Sequence, residues 1–415
     1  MAVEGWQETT FGKTLDIQGG TQPPKSTFVY EPQDGYVRLI QIRDFESDDY
    51  PAYIKIGSKS NLCEADDILI ARYGASLGRI CTGKAGAYNV ALAKVVFKTN
   101  AILRDYLYYW LKSPLFQDHL LAVGGRSAQA GFNKEDLAPL RIDLPPIAEQ
   151  TKIAEVLGSV DEAIAKTEAV LVQTQKVKQG LLQTLLTKGI GHTKFKQTEI
   201  GEIPEGWEVS SIEQLSDRVT SGSRGWAEYY SEEGAAFIRI TNLKRDCIYP
   251  DMSDLKRVQL PAGSAEGVRT RVRVGDVLIS ITADLGVIGY IKDDNLGEAY
   301  VNQHISLVSL NPKRVHAGFA AYFLSAPFMQ RHIQKLNDGG AKAGLNLPTI
   351  RRLPIPLPDM NEQTHIFQTL KETDDYLLES KEQMLTLQNL KKGLMSDLLT
   401  GRVRAKLDKK SEKAA

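Results

Sequence analysis

The sequence predicts an α+β protein built twice over. Two mixed α/β globular units are separated by two long helices that pair antiparallel as a coiled coil, which gives the chain a pseudo-two-fold internal repeat. Three observations carry this reading. A stretch opening Leu144-Pro145-Pro146-Ile147-Ala148-Glu149-Gln150-Thr151 returns 213 residues later as Leu357-Pro358-Asp359-Met360-Asn361-Glu362-Gln363-Thr364. Without a gap, 15 of 45 aligned positions match, against about three expected if chance matching runs at roughly 6 % per position. Both copies also step their apolar residues by four and three, the a/d spacing of a coiled coil.

In the first helix that frame is Ile153, Leu157, Val160, Ile164, Thr167, Leu171, Leu181 and Leu185, with Val156, Ala163, Val170 and Val177 as a flanking row. In the second it is Ile366, Leu370, Thr373, Leu377, Ser380, Met384, Leu387, Leu394 and Leu398. Pro145-Pro146 with Glu149 suits a helix start, and Gly189 or Gly401 a helix stop.

The repeat reaches into the globular units. Glu4-Gly5-Trp6 answers Glu205-Gly206-Trp207, and Asp67-Ile68-Leu69-Ile70 answers Asp276-Val277-Leu278-Ile279. From Asn89 and Asn302 onward the offset settles at 213 and carries Tyr109/Tyr322, Pro114/Pro327, Gln117/Gln330 and His119/His332. Strands are predicted at 36–43, 67–73, 91–98, 236–242, 276–282 and 305–310, and single helices at 105–121 and 317–336. Gly, Pro and Ser mark loops at 19–24, 124–127 and 221–225. The expected boundaries are 1–143 for the first unit, 144–189 for the first spacer helix and 190–356 for a linker and the second unit. The second spacer helix follows at 357–401, then a charged, frayed tail at 402–415. The lysine-rich stretch 176–196 reads as the linker.

Composition bounds the function. At 415 residues and 42 % hydrophobic, two or three globular domains fit. No apolar run reaches the ~18 residues of a membrane span, and the start lacks a signal peptide's apolar centre, so a cytoplasmic protein is expected. Cys63, Cys81 and Cys247 stand far apart without a CxxC pair, and the six histidines show no metal-ligand spacing. With 51 basic and 51 acidic residues, any basic surface is local. Gly12-Lys13-Thr14 has Gln7 where a phosphate loop needs glycine, and Gly189-Ile190-Gly191 lacks the third glycine of a dinucleotide fingerprint. The nearest strings to an amino-methyltransferase tetrad, Gln22-Pro23-Pro24 and Leu144-Pro145-Pro146, lack its Asp/Asn and aromatic ends. No cofactor is expected, and the chain is expected to catalyse nothing alone.

Helices opening Leu-Pro-x-x-x-Glu-Gln-x-x-Ile and closing near Lys-x-Gly-Leu-x-x-x-Leu-Leu-Thr (Lys178–Thr187, Lys391–Thr400) alternate with divergent units. The second unit enters through Ile200-Gly201-Glu202-Ile203-Pro204-Glu205-Gly206-Trp207. This resembles the specificity (HsdS) subunit of type I restriction–modification systems over essentially the whole chain. The resemblance implies two target recognition domains, each reading half of a split double-stranded DNA site. It further implies two modification (HsdM) methyltransferase subunits on the helices and restriction (HsdR) subunits around that core. One departure is that the first unit lacks the Ile-Pro lead that precedes Glu205; with Glu4-Gly5-Trp6 present, it is expected complete.

Arg, Gln and Asn read base edges by paired hydrogen bonds. Candidates in the first unit's loops are Thr21, Arg72, Tyr73, Arg79, Arg126, Ser127 and Gln129; in the second they are Arg224, Trp226, Thr282, Asp284 and Lys342. Because these loops differ while the strands match, the units are expected to read different half-sites. Lys178 and Lys391, inside the coiled-coil frame, are expected to be structural or phosphate-facing. The competing reading is a coiled-coil adaptor whose globular units bind proteins; a self-contained methyltransferase or nuclease is opposed by the missing tetrad.

Overall fold

The computed structural model describes residues 3–57, 60–124, 131–222, 224–261, 263–293, 295–336 and 344–407. The chain forms two compact units, Met1–Thr167 with Gln383–Ala415, and Glu168–Glu382. Each long helix therefore contributes one part to each unit.

In the first unit a sheet runs Leu15–Gly19, Leu92–Phe97, Leu69–Ala71, Ile80–Cys81, antiparallel throughout. The second unit repeats that order with Ser216–Ser221, Ile305–Leu310, Asp276–Ser280, Ile288–Tyr290. A second four-stranded sheet in each unit contains one parallel pair, Tyr36–Ile40 beside Gly86–Tyr88 and Ala235–Ile238 beside Ala299–Val301. The run Asp276–Ser280 is buried at every residue because both faces of its sheet are covered. Alternation then sorts the side chains. Val277 and Ile279 join the core beneath the helices, while Leu278 joins the one shared with the second sheet. Ile68 and Ile70 against Leu69 and Ala71 divide in the same way.

Each predicted short helix is two. Arg104–Lys112 is followed by Pro114–Gly124, and Ala317–Ser325 by Pro327–Lys335. Apolar periodicity crosses the breaks, but Pro114 and Pro327 have no N–H to continue the ladder and force the preceding residue out of the helical region. Ser113 (ψ 160) and Ala326 (ψ 142) are extended accordingly. The predicted strand ends at 42–43 and 240–242 fall instead in 3₁₀ turns.

The long helices are Ile147–Leu185 and Met360–Leu398. The heptad frame holds: every frame residue named above is buried or half-buried. Val170 and Val177 of the flanking row are exposed instead, and Leu182 and Leu186, outside the frame, are buried. Within each unit the helical parts run antiparallel. In the first, Asp161 meets Lys391 while Glu149 meets Arg404; in the second, Asp374 meets Lys178 while Glu362 meets the backbone N–H of Ile190.

Two further expectations are corrected. The lysine-rich stretch is helical up to Leu185, and Phe195–Thr198 pairs with Gly201–Pro204, so little of it is linker. The described start of the tail is anchored, because Arg404 and the N–H of Ala405 bind Glu149. No helix among the described residues is long and apolar enough to cross a membrane.

Candidate nucleic-acid interface

The repeated motif residues turn out to be the joints that fix each unit's sheets to its helices. The Trp6 indole donates to Glu149 at 3.1 Å, and the Trp207 indole to Glu362 at 3.0 Å. Glu149 also takes both arms of Arg404, at 2.8 and 2.7 Å. Glu362 instead takes His192 at 2.9 Å and the Ile190 amide at 2.8 Å. Burial disfavours the Glu149 carboxylate, yet the donors from Arg404 and Trp6 hold it below its ordinary 4.5. The neighbouring glutamines close the next gap. Gln150 accepts from the Leu103 amide and donates to Ala101 and Pro145 carbonyls; Gln363 accepts from the His316 amide and donates to the Pro358 carbonyl.

About three turns further on, Tyr109 donates to Asp161 at 3.0 Å, and Tyr322 to Asp374 at 2.8 Å. Lys391 pairs with Asp161, and Lys178 with Asp374 at 2.5 Å. Lys178 and Lys391 are thus structural ion-pair partners. Burial first, then the adjacent carboxylate, pushes both tyrosine hydroxyls up, which keeps them donors. Gln117 and Gln330 each bridge a loop carbonyl (Gly78, Gly286) to a helix-end carbonyl (Leu111, Leu324). His119 meets the Asp136 carbonyl at 2.8 Å, a structural role.

On this scaffold the variable loops converge on the same sheet corner in both units. In the first, Arg72 follows the strand Leu69–Ala71; its guanidinium reaches the Phe132 carbonyl at 3.3 Å and stands 5.0 Å from the Tyr73 ring centre. Its Nε is buried without a hydrogen-bond partner among the described residues. Tyr73, 42 % exposed, forms a β-bridge with Gly131. Gly131 is small by need, since a Cβ there would lie 2.6 Å from the Tyr73 ring. Half-buried Thr21 follows Gly20, where a Cβ would fall 2.0 Å from the Asn89 carbonyl oxygen, and donates its amide to Tyr88.

The second unit repeats the corner with other residues. Gly222 sits against the Asn302 carbonyl as Gly20 does against Asn89, and Thr282 bridges Gly344 as Tyr73 bridges Gly131. The Thr282 hydroxyl meets His304 Nδ1 at 2.5 Å, and Gln303 Nε2 stands 3.2 Å from His304 Nε2. Ala283 holds φ 57°, a left-handed conformation unusual for a residue with a side chain, so the loop between Thr282 and Asp284 is locally strained. Arg269 binds the Thr220 hydroxyl at 3.0 Å, and Arg351 the Val219 carbonyl at 3.0 Å, which places two guanidinium groups along the strand leading to Gly222.

Arg72 and Tyr73 therefore stand beside Gly131, and a Cβ on Gly19, two residues before Thr21, would lie 2.8 Å from the Arg72 guanidinium; Thr282 stands beside Gly344 and His304, and Arg224 is exposed. Trp226 is a correction. It is 3 % exposed and stacked on Phe237 (4.8 Å, 18°) beside Tyr300, so it is core of the second sheet and presents no face to a ligand. Arg79 is drawn to Glu46 at 2.8 Å and the Phe45 carbonyl, and Asp284 to Arg245, so both are committed to neighbouring loops of their own unit. Arg126, Ser127, Gln129 and Lys342 lie outside the described residues. The sequence reading missed Gln303, His304, Arg269 and Arg351. A signal existed for the first two: they follow Asn302 where Val90-Ala91 follow Asn89, a polar-for-apolar exchange at a matched position. Nothing local marks Arg269 or Arg351, which come from distant segments.

Comparison with known proteins agrees with this architecture. Residues 3–173 and 204–387 match the family described as type I restriction modification DNA specificity domain. The MjaVIII specificity subunit of Methanocaldococcus jannaschii is 27 % identical over 97 % of this chain and 94 % of its own. The EcoBI specificity subunit of Escherichia coli is 21 % identical over 97 % and 87 %. Among solved structures, the S subunit of a type I system from M. genitalium superposes with TM-score 0.62 at 15 % identity, over 96 % of this chain and 99 % of that one. A chain from a structure on assembly of the type I R-M system superposes with TM-score 0.54 at 17 % identity, over 96 % and 98 %. With two matched segments covering most of the sequence and a fold built twice around them, the chain belongs to the type I restriction–modification DNA specificity family, as a specificity subunit.

Proposed function

We propose that this chain selects the DNA sequence for a type I restriction–modification assembly, without catalysing a step itself, in the cytoplasm. The observation that carries the reading is the doubled corner. An identical frame of glycine contacts and β-bridges presents Arg72, Tyr73 and Thr21 in one unit and Thr282, His304 and Gln303 in the other. A scaffold held constant while the presented hydrogen-bonding groups change is what reading two different half-sites requires. The two globular segments, 1–143 and 190–356, read the halves of one interrupted, asymmetric duplex site. The long helices, 144–189 and 357–401, take two modification methyltransferase subunits, and restriction subunits join that core. Zero net charge fits a subunit whose phosphate contacts are shared with partners.

Methylation-sensitive sequencing of the host genome, with and without the gene, tests this. One asymmetric bipartite motif should lose adenine methylation when the gene is absent, and the chain should co-purify with a methyltransferase. An unchanged methylome together with salt-independent binding to proteins alone would favour the adaptor reading.

A further inference from the structure

The strand that runs into each corner is gripped at the same two residues by different side chains. In the first unit Asn61 donates to the Gly19 carbonyl at 2.7 Å and accepts from the Gln18 side chain at 3.1 Å. The Tyr88 hydroxyl donates to the Gln18 carbonyl at 3.1 Å. In the second unit Arg269 donates to the Ser221 carbonyl at 2.5 Å and to the Thr220 hydroxyl at 3.0 Å. There the Ser306 hydroxyl donates to the Thr220 carbonyl at 3.2 Å. Gln18-Gly19 and Thr220-Ser221 are matched pairs, because they lie opposite Lys94-Ala93 and Leu307-Ser306 and lead into Gly20 and Gly222.

The donors are not matched. Leu62 and Arg271 are counterparts, since each pairs with the residue two before the corner asparagine, Ala87 before Asn89 and Tyr300 before Asn302. Asn61 stands one residue before that pairing. Arg269 stands two before it, in the helix Ala265–Thr270, a segment of different length and sequence from 56–61. Two unlike backbones thus bring an N–H to the same carbonyl, so the repeat has kept the contact and exchanged the residue.

The Gly19 carbonyl belongs to the planar peptide that joins Gly19 to Gly20, and pinning it sets the plane from which Gly20-Thr21 departs. The neighbours leave that peptide little freedom. A Cβ on Gly20 would lie 2.0 Å from the Asn89 carbonyl oxygen, and one on Gly19 would lie 2.8 Å from the Arg72 guanidinium. Tilting the peptide would therefore disturb Thr21 and Arg72 together. In the second unit the pinned peptide joins Ser221 to Gly222, two residues before Arg224. Groups that bind specifically must be held to about 0.5 Å by supporting contacts.

We propose that Asn61 and Arg269 are positioning residues for sequence recognition, each orienting the first recognition loop of its own unit without addressing a base itself. The inference rests on the corners being the base-reading sites, and it refines that reading.

The test uses the full-length chain assembled with its modification subunit, on duplexes carrying the methylated motif and every single-base change in it. Asn61→Ala and Asn61→Asp both lose the N–H for the Gly19 carbonyl. Each should raise methylation of singly changed first half-sites about tenfold relative to the parental site, with second half-sites discriminated as before. Arg269→Ala should do the converse. Arg269→Gln keeps an N–H for the Ser221 carbonyl while dropping the charge, and should retain discrimination. Thermal melting separates this from a merely structural role, which would lower the melting temperature and leave discrimination intact. A direct phosphate contact would instead make Arg269→Ala and Arg269→Gln equally weak on every sequence and lower the salt slope by about one. Either result, or unchanged discrimination in Asn61→Ala and Arg269→Ala, overturns the positioning role. Failure of the wild-type assembly to discriminate any split site overturns the recognition reading on which it rests.

Discussion

The same ion-pair triad is built at two depths in the two units, and the contrast shows what the repeat preserves. In the second unit Lys178 and Asp374 are almost sealed, their side chains 11 % and 2 % exposed. In the first, Lys391 and Asp161 are 21 % and 32 % exposed, beside an open groove. The chemistry Tyr–Asp–Lys is unchanged, while in the second unit the Asp246 carbonyl also takes Lys178 and the Tyr249 hydroxyl lies 3.5 Å from that of Tyr322. A repeat can thus keep its joints and still differentiate them by changing the groups around them.

Breaking the two triads separately gives the largest expected effect. Asp374→Ala leaves Lys178 buried without a counter-charge and Tyr322 without an acceptor, and should cost about 3–5 kcal/mol. Asp161→Ala leaves Lys391 able to turn to water, and should cost roughly 1–2 kcal/mol. Chemical denaturation of the two variants measures the difference. Equal losses would show that exposure does not separate the copies.

The corners sharpen the comparison from the side of recognition. Arg72→Ala should cost about 1–3 kcal/mol at one position of one half-site, and Gln303→Ala a similar amount in the other, each leaving its partner half untouched. Motif analysis of the methylome of each variant reads this out. A uniform loss across all sequences would make the residue a phosphate contact.

The smallest effect concerns the anchors of the long helices. Glu149 is held below its ordinary value, so its contribution to stability is complete above that value, about pH 4.5, and disappears as pH falls through the lowered one. Arg404→Ala should remove roughly 1–2 kcal/mol at neutral pH and flatten this acid limb. Melting temperatures from pH 7 down to 3 check it. The anchor at Glu362, supplied by His192 and a backbone amide, should be indifferent to that substitution.

The architecture was legible because a repeat is a property of sequence alone. The Leu-Pro-x-x-x-Glu-Gln openings, the heptad frame and the matched strands required only spacing and periodicity, and each reflects a local rule of helix or strand geometry. Where local rules competed, the sequence reading followed the wrong one. Apolar periodicity ran through Pro114 and Pro327, and the missing N–H stopped the helices there. Trp226 looked like a loop aromatic until Phe237 and Tyr300, brought in from other strands, buried it. The described start of the tail is anchored because Arg404 finds a carboxylate some 250 residues away in the chain. Which loop groups share a corner, which lysines are neutralised and which copy keeps an open groove were decided only by tertiary structure. Each depends on partners distant in sequence, and burial, the quantity that sets their energies, has no local signature.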